Sequence, residues 1–317
     1  MSRLLPAIAT RADFHRVRNR PIDEWRPALR ALGARHGFPD EPVQRFASGA
    51  NPVFSLGDRL VVKLVPHLWS NVVQREIECL QFLADKTTLP VARVVAEGRI
   101  EDWTYLVSTR LPGSPLDQVW PLLGPEEKDA LVGELGGLLR GLHQIPINGL
   151  RPGGIVWEEF CENAIASWTA RRDLQRLPAP LRADGPRFLA QVNPRSTPAP
   201  LVLLHGDLAP ENMLVEHGAE GWRISGVLDF GNAMTGDPLF DLTAPTVLLA
   251  PGQAEIVGRI LASCGGPPAL DARTLRRRLM ALTLIHPMAD LPDCLALLKG
   301  TGGCLTWGAV AERFWPG

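Results

Sequence analysis

Leu204-His205-Gly206-Asp207-Leu208-Ala209-Pro210-Glu211-Asn212, followed by Leu228-Asp229-Phe230-Gly231, is the stretch that decides how this 317-residue chain is read. In the first segment an apolar run over 201–204 delivers Asp207 into a loop, and Asn212 follows five positions later. In the second, short strands expected at 213–215 and 224–228 end on Asp229. Asp and Asn in loops are ordinarily turn formers, and Asp-Phe-Gly alone is a weak signal. Together and in this order they supply what phosphoryl transfer needs. Asp207 is the candidate to orient or accept the proton of an attacking hydroxyl. Asn212 and Asp229 offer the hard oxygen donors that hold Mg2+ on nucleotide phosphates. Both segments sit in loops after strands, where functional groups are exposed on a rigid base.

Upstream, two apolar runs at 53–56 and 60–65 are joined by Gly57-Asp58 and predict a β-hairpin. Lys63 lies in its second strand on the face opposite Val62 and Leu64. An edge-strand gatekeeper is the plain reading of such a lysine. The downstream carboxylates favour a phosphate ligand instead, which needs a carboxylate to hold it in place. A helix predicted over 71–84 carries Val73, Ile77, Leu80 and Ala84 on one face, and Glu76 borders that stripe. Glu76 is therefore the candidate partner, and Glu78 is expected in solvent. Ser48-Gly49-Ala50-Asn51-Pro52, before the hairpin, could cover phosphates with backbone amides and small side chains, Ser48 and Asn51 among them. The link 107–113 could offer a carbonyl and an amide to adenine at Thr109 and Leu111.

The remaining pattern predicts a helix over 23–36, stopped by Gly37, and strands over 91–97 and 105–111. Pro112-Gly113 breaks the chain there, giving an N-terminal nucleotide-binding lobe, 1–111, and a catalytic and substrate-binding lobe, 112–317. The second lobe is mainly helical, with a long helix over 125–143 that stacks Leu131, Leu135, Leu138 and Leu142. The class is α+β and bilobal, a small β-rich lobe before a larger helical one.

Composition removes other classes. With 33 basic and 34 acidic residues the formal charge is -1, which gives no reason to propose nucleic acid or an anionic membrane as partner. The basic run Arg276-Arg277-Arg278 spreads around a helix and reads as a solvated face. No apolar stretch approaches the roughly 20 residues of a membrane helix, and no signal peptide is read. Cys79, Cys161, Cys264, Cys294 and Cys304 form no Cys-x-x-Cys pair, which fits free thiols in a reducing cytoplasm. No strand-Gly-x-Gly-x-x-Gly-helix unit supports a dinucleotide enzyme.

The set Lys63, Glu76, His205-Gly206-Asp207, Asn212 and Asp229, followed by Gly236-Asp237-Pro238 and Asp241-Leu242, resembles the aminoglycoside phosphotransferase family over nearly the whole chain. The resemblance implies a protein-kinase-like fold, ATP or GTP with Mg2+ as cofactors, and a monomer or weak dimer. It implies that Asp207 is the catalytic Asp, that Asn212 and Asp229 bind magnesium, and that Lys63 and Glu76 form the phosphate-binding pair. It also implies that His205, Asp237 and Asp241 brace the loop. Asn51-Pro52-Val53, Trp69 and the ending Ala311-Glu312-Arg313-Phe314-Trp315 are more narrowly similar to hygromycin-type phosphotransferases. Ala209 and Glu211 depart from the His and Gly common in the family.

Only four residues separate Gly231 from Gly236-Asp237-Pro238, too few for an activation segment that docks a peptide. A small hydroxylated acceptor is expected rather than a protein, a cationic antibiotic by resemblance, with choline, homoserine or macrolide acceptors as alternatives. A cationic acceptor calls for acids in the helical lobe. Glu158, Glu159 and Glu162 fall on one helix, where Glu158 and Glu162 share a face and make the better pair, and Asp290 and Asp293 lie near the end. A non-catalytic nucleotide-binding module is the reading from a different class.

Overall fold

Apolar alternation builds the first unit, and helical stripes build the second. A computed structural model describes residues 3–38, 41–47, 49–148, 150, 154–173, 176–265, 270–298 and 306–316. The chain divides into two compact units, Met1–Lys86 with Val91–Leu111, and Thr87–Pro90 with Pro112–Gly317. The sequence boundary at 111 assigns residues 87–90 to the first lobe; the structure places them with the second. The Val227 amide donates to the Pro90 carbonyl at 2.8 Å, which ties that short segment to the second unit.

In the first unit α1 (Arg11–Val17) and α2 (Ile22–His36) precede β1 (Val43–Arg45), β2 (Val53–Leu56) and β3 (Leu60–Pro66). Helix α3 (Ser70–Leu83) then leads to β4 (Val94–Ile100) and β5 (Trp103–Thr109). The five strands form one antiparallel sheet in the order β1-β2-β3-β5-β4. Helix α2 ends as its sequence predicts, on Gly37 at φ 68°, a left-handed position that glycine adopts without a Cβ penalty.

The period of two in β3 sorts its side chains between faces. Val62 and Leu64 are fully buried and join a core with Phe54, Trp103, Tyr105 and Val107 from the neighbouring strands. Trp25, Ala28, Leu29 and Leu32 of α2 cover that face, with Trp25 and Trp103 packed edge to face at 5.5 Å. Lys63 points to the other face, toward α3. Sequence periodicity did not anticipate the contribution of Leu5, Ile8 and Phe14 to the same core. A short segment and one two-turn helix carry too few apolar positions for a period to show. The Trp103 indole donates to the Pro6 carbonyl at 2.9 Å and the Leu4 amide to Glu101 at 2.7 Å, so this segment is pinned to the β4–β5 turn.

The second unit opens with β6 (Ser114–Pro115), α4 (Leu116–Val119) and α5 (Pro125–His143). Helices α6 (Trp157–Ala166), α7 (Trp168–Asp173) and α8 (Ala179–Val192) follow, then β7 (Val202–Leu204), β8 (Met213–Gly218), β9 (Gly221–Val227) and β10 (Met234–Gly236). Five helices close it: α9 (Phe240–Leu248), α10 (Ala254–Ser263), α11 (Ala272–Ile285), α12 (Leu291–Ala296) and α13 (Trp307–Phe314). The strands form a sheet in the order β6-β8-β9 and a β7–β10 pair. No helix among the described residues is long and apolar enough to cross a membrane.

One basic run departs from its sequence reading. Arg278 is buried, not solvated, and its Nε donates to Asp237 at 2.7 Å. Cys161 is also fully buried, and desolvation pushes its thiol up to about 12. Native protein treated with iodoacetamide at pH 8 should therefore carry no label on Cys161 by peptide mapping, whereas half-buried Cys264 should react. A labelled Cys161 in the folded protein would contradict this packing.

Candidate active site

Two strand pairings assemble the chemistry-bearing loop of the second unit. In the β8–β9 hairpin Met213 pairs with Val227. The residues just outside, Asn212 and Leu228, are joined by the Leu228 amide donating to the Asn212 carbonyl at 2.8 Å. Asn212 and Asp229 are thus brought to one end of one hairpin, although seventeen positions separate them. In the β7–β10 pair Leu204 opposes Met234, which sets the His205-Gly206 turn beside Asn232. Gly206 sits at φ 79°, and a Cβ there would collide with the Asn232 carbonyl. Only glycine fits, and that explains the His-Gly-Asp sequence.

His205 is wholly buried and holds the turn from inside. Its Nε2 donates to the Leu228 carbonyl at 2.8 Å, and its Nδ1 accepts the Asp207 amide at 3.2 Å. Burial lowers its pKa, so the ring is neutral and these two bonds assign its tautomer. Phe230 packs on it at 4.5 Å. Below lies Asp241 of α9, whose two oxygens accept the His205 amide at 2.9 Å and the Gly206 amide at 2.8 Å. His143, the last residue of α5, meets the same carboxylate at 3.1 Å. Asp237 accepts the Leu239 amide at 2.9 Å and is paired with Arg278.

On this frame Asp207 carries a carboxyl raised to about 7, first by burial, then by repulsion from Asp229 and Glu211. Asn232 offers it a weak bond, Nδ2 to Oδ2 at 3.5 Å. Asn212 turns its Nδ2 to the Asp207 carbonyl at 2.9 Å, which leaves its Oδ1, an oxygen donor, for another partner. Asp229 stands at φ 63°, uncommon for a non-glycine residue, and accepts the Gly231 amide at 3.3 Å. Among the described residues no group of three or more His, Cys, Asp or Glu side chains is placed to hold a metal ion. Asp229 with the Asn212 amide oxygen is instead a two-residue oxygen set, which fits a cation that keeps water and phosphate ligands, as Mg2+ does.

In the first unit the Lys63 ammonium meets Glu76 at 2.7 Å, with only 13% and 7% of the two side chains exposed. The pair, with Glu76 buried, stands on the α3 face of the sheet, with Lys63 registered against Val53 and Leu106. Asn51 is half-buried directly before β2. Ser48 lies outside the described residues. Thr109 ends β5 and is engaged through its own amide and hydroxyl with Arg93, each at 2.9 Å; Leu111 closes the unit two residues on.

The acids of the helical unit separate. Glu158 is exposed, and Glu162 pairs with Arg195 at 3.1 Å. Asp290 caps α12 by accepting the Asp293 amide, a local duty. The acid of α6 that lines a cavity, of about 420 Å3, is Glu159, with Phe160, Asn163 and Ala164 beside it and Ser167 and Arg171 further along. The helix turns Glu158 and Glu162 away from that wall. Sequence reading named Glu159 but preferred the Glu158 and Glu162 pair, and it passed over Asn232 and His143. Asn232 follows directly on Asp229-Phe230-Gly231, and His143 ends the leucine stripe of α5, so each had a positional cue but no motif of its own.

Comparison with known proteins places this geometry. The model of the phosphotransferase enzyme family matches residues 42–274, well over half of the chain. The chain belongs to that family. A viomycin phosphotransferase of Streptomyces vinaceus is 33% identical over 197 residues, 58% of this chain and 62% of the relative. An aminoglycoside 3'-phosphotransferase of Streptomyces ribosidificus is 30% identical over 181 residues, 55% of this chain and 66% of the relative. The matched stretch thus spans less than two thirds of either relative. Among solved structures, the GDP complex of an aminoglycoside 2'-phosphotransferase aligns with a TM-score of 0.68 at 16% identity, over 90% of this chain and 95% of that one. A macrolide 2'-phosphotransferase of Brachybacterium faecium aligns with a TM-score of 0.59 at 23% identity, over 92% and 98%. These likenesses establish the kinase-like phosphotransferase fold.

Proposed function

We propose that the protein transfers the γ-phosphoryl group of ATP or GTP to a hydroxyl of an antibiotic-like small molecule. The observation that carries this reading is the arrangement at 205–232: a half-buried carboxylate beside a second one, with the Asn212 amide oxygen left available. Asp207 would accept or orient the acceptor's hydroxyl proton while oxygen attacks phosphorus in line, without a covalent enzyme intermediate. Its raised pKa suits a base working near neutrality. Mg2+, held by Asp229 and Asn212, would supply charge neutralisation for the phosphates. Lys63, held by Glu76, would bind phosphate oxygens as a fixed point charge.

Glu76→Gln should leave Lys63 without its anchor. We expect the KM for ATP to rise about tenfold while the KM for the acceptor stays near the parent value. Steady-state kinetics with each substrate varied in turn tests this; a change confined to the acceptor KM would refute the assignment of the pair.

For the acceptor, Glu159 is the α6 acid to test, ahead of Glu158 and Glu162. Its cavity also presents Arg171 over an apolar floor that includes Ile285. Such mixed chemistry favours a ligand bearing both amines and carbonyl or hydroxyl groups, as a peptide antibiotic does, alongside aminoglycosides. The deciding experiment is ADP release against hygromycin B, other aminoglycosides, viomycin, macrolides, choline and homoserine. Turnover confined to the small alcohols would overturn the antibiotic reading and leave the phosphotransferase one. Tight ATP binding with no turnover on any acceptor would favour a nucleotide-binding module.

A further inference from the structure

The run Arg276-Arg277-Arg278 and the closing segment Ala311-Glu312-Arg313-Phe314-Trp315 take no part in the chemistry above, and they meet where α11 packs on α13. Between the two helices lies a cavity of about 320 Å3. Arg273, Arg276 and Arg277 line it from α11, and the first turn of α13 closes the far side. Glu312 is the single acid among its described lining residues. The cavity shares no lining residue with the Asp207 loop.

Three guanidinium groups stand here with one acid, Glu312, and form no ion pair among the described residues. No carboxylate of the described residues lies within ion-pair distance of Arg273, Arg276 or Arg277. Residues 299–305, which precede α13 in the chain, contain Lys299 and no Asp or Glu. Arg273 lies in the first turn of α11, beside the capping carboxylate of Asp271, and Arg276 and Arg277 follow one turn on. Helix N-termini do not explain the site: the Trp307 amide is taken by Asp184 at 2.8 Å and the Ala309 amide by Thr306 at 3.3 Å. The guanidinium groups themselves must do the recognising.

Two of them are prepared for it. Arg277 is fixed by a bond to Gln191 at 3.0 Å and by stacking over Phe188 at 4.7 Å. Gly308 makes room for it, since a Cβ there would come within 3.3 Å of the Arg277 Nη1. The Nε of Arg276 is fully buried and has no hydrogen-bond partner. A buried donor is nearly always paired, so this one retains capacity for an acceptor.

We propose that the α11–α13 cavity is a binding site for the phosphate group of a small molecule, separate from the Asp207 site. Forked arginine donors match a tetrahedral oxyanion, and three positive charges against one acid suit a dianion better than a carboxylate. The volume exceeds what free phosphate needs and falls at the lower end for small-ligand pockets, which favours a phosphate ester. The inference does not depend on the phosphotransferase reading.

Calorimetric titration of the full chain with inorganic phosphate, ribose 5-phosphate and ribose, at matched ionic strength, tests it. Saturable binding of one or both phosphates is expected, with none for ribose. Equal affinity for the two phosphates would identify free phosphate as the ligand; tighter ester binding would identify an organic phosphate. Arg276→Gln should weaken binding about tenfold or more. Arg273→Glu, at an exposed position, should do the same without threatening the fold. Lys63→Ala should leave this binding intact, which separates it from any nucleotide site. Absence of saturable binding below about 10 mM would overturn the proposal. So would binding unchanged in both arginine variants, or binding only to a polyanion such as RNA.

Discussion

Replacing Asp207 by Asn should reduce turnover by about a thousandfold or more, and yet raise the melting temperature of the metal-free protein at pH 8. Both effects follow from one environment. The carboxyl is raised to about 7 in the fold, by desolvation first and then by repulsion from Asp229 and Glu211. In the unfolded chain it titrates at the ordinary value of about 3.9. The folded pKa is the higher one, so ionisation of Asp207 opposes folding. The penalty is absent below about pH 4, grows as pH rises to about 7, and is constant above that. Three units correspond to about 4 kcal/mol as an upper bound, and relaxation and water would reduce this to about 1–2 kcal/mol. Asn removes the charge and keeps the shape. Melting curves in EDTA at pH 4.5 and pH 8 should show a gain of a few degrees for the variant at pH 8 and little at pH 4.5. Near-parental turnover in Asp207→Asn would end its assignment as the base. Equal melting temperatures at pH 8 would end the electrostatic account while leaving the catalytic one to the kinetics.

The same residue shows what sequence could and could not reveal. Asp207, Asn212 and Asp229 stood out in the sequence because short apolar runs precede their loops; that the strands at 213–215 and 224–228 pair as a hairpin was not read from it. Lys63 was legible because β alternation forces its side chain away from Val62 and Leu64, and Glu76 because α3 has a clear buried stripe. The packing around these residues was not legible in the same way. Glu159 rather than Glu158 or Glu162 faces a cavity because of how α6 is rotated against its neighbours, which no property of α6 alone determines. Arg278 looks solvated in a run of three arginines, and is buried because Asp237 arrives from a turn 41 residues earlier. Leu5 and Ile8 lie in a segment without period and are buried because α2 and the sheet leave an apolar face that needs covering. Strand-end signals are local; helix rotation and long-range ion pairs depend on the whole fold.

Asp241 should show how much of the site's order is held from beneath. Asp241→Ala is expected to destabilise the protein by about 3–5 kcal/mol, because it strands buried donors rather than one contact. The residue is 2% exposed, and its carboxylate accepts the amides of His205 and Gly206 and meets the His143 ring. None of these groups can reach water if the carboxylate is removed without rearrangement. Asp241→Asn should cost less, about 2 kcal/mol, since one oxygen remains while the new amide faces a donor. The pH dependence has the opposite sign to that of Asp207. Against burial, hydrogen bonds from His143 and the Gly206 amide hold the Asp241 pKa below its ordinary value. A depressed folded pKa contributes stability above the unfolded pKa of about 3.9 and loses it as pH falls through the folded value. The gap between parent and Asp241→Asn should therefore be widest near neutrality and shrink below about pH 4. Urea unfolding from pH 3 to pH 8 measures it directly. Kinetics distinguishes bracing from mere stability: at a temperature where Asp241→Asn is fully folded, kcat should fall while the KM for ATP stays near the parent value. Slackening the 205–206 turn displaces Asp207 without touching Lys63 or Glu76. A variant that loses stability with kcat unchanged would show that the turn keeps its shape without Asp241, through the Gly206 geometry and the His205–Leu228 bond alone.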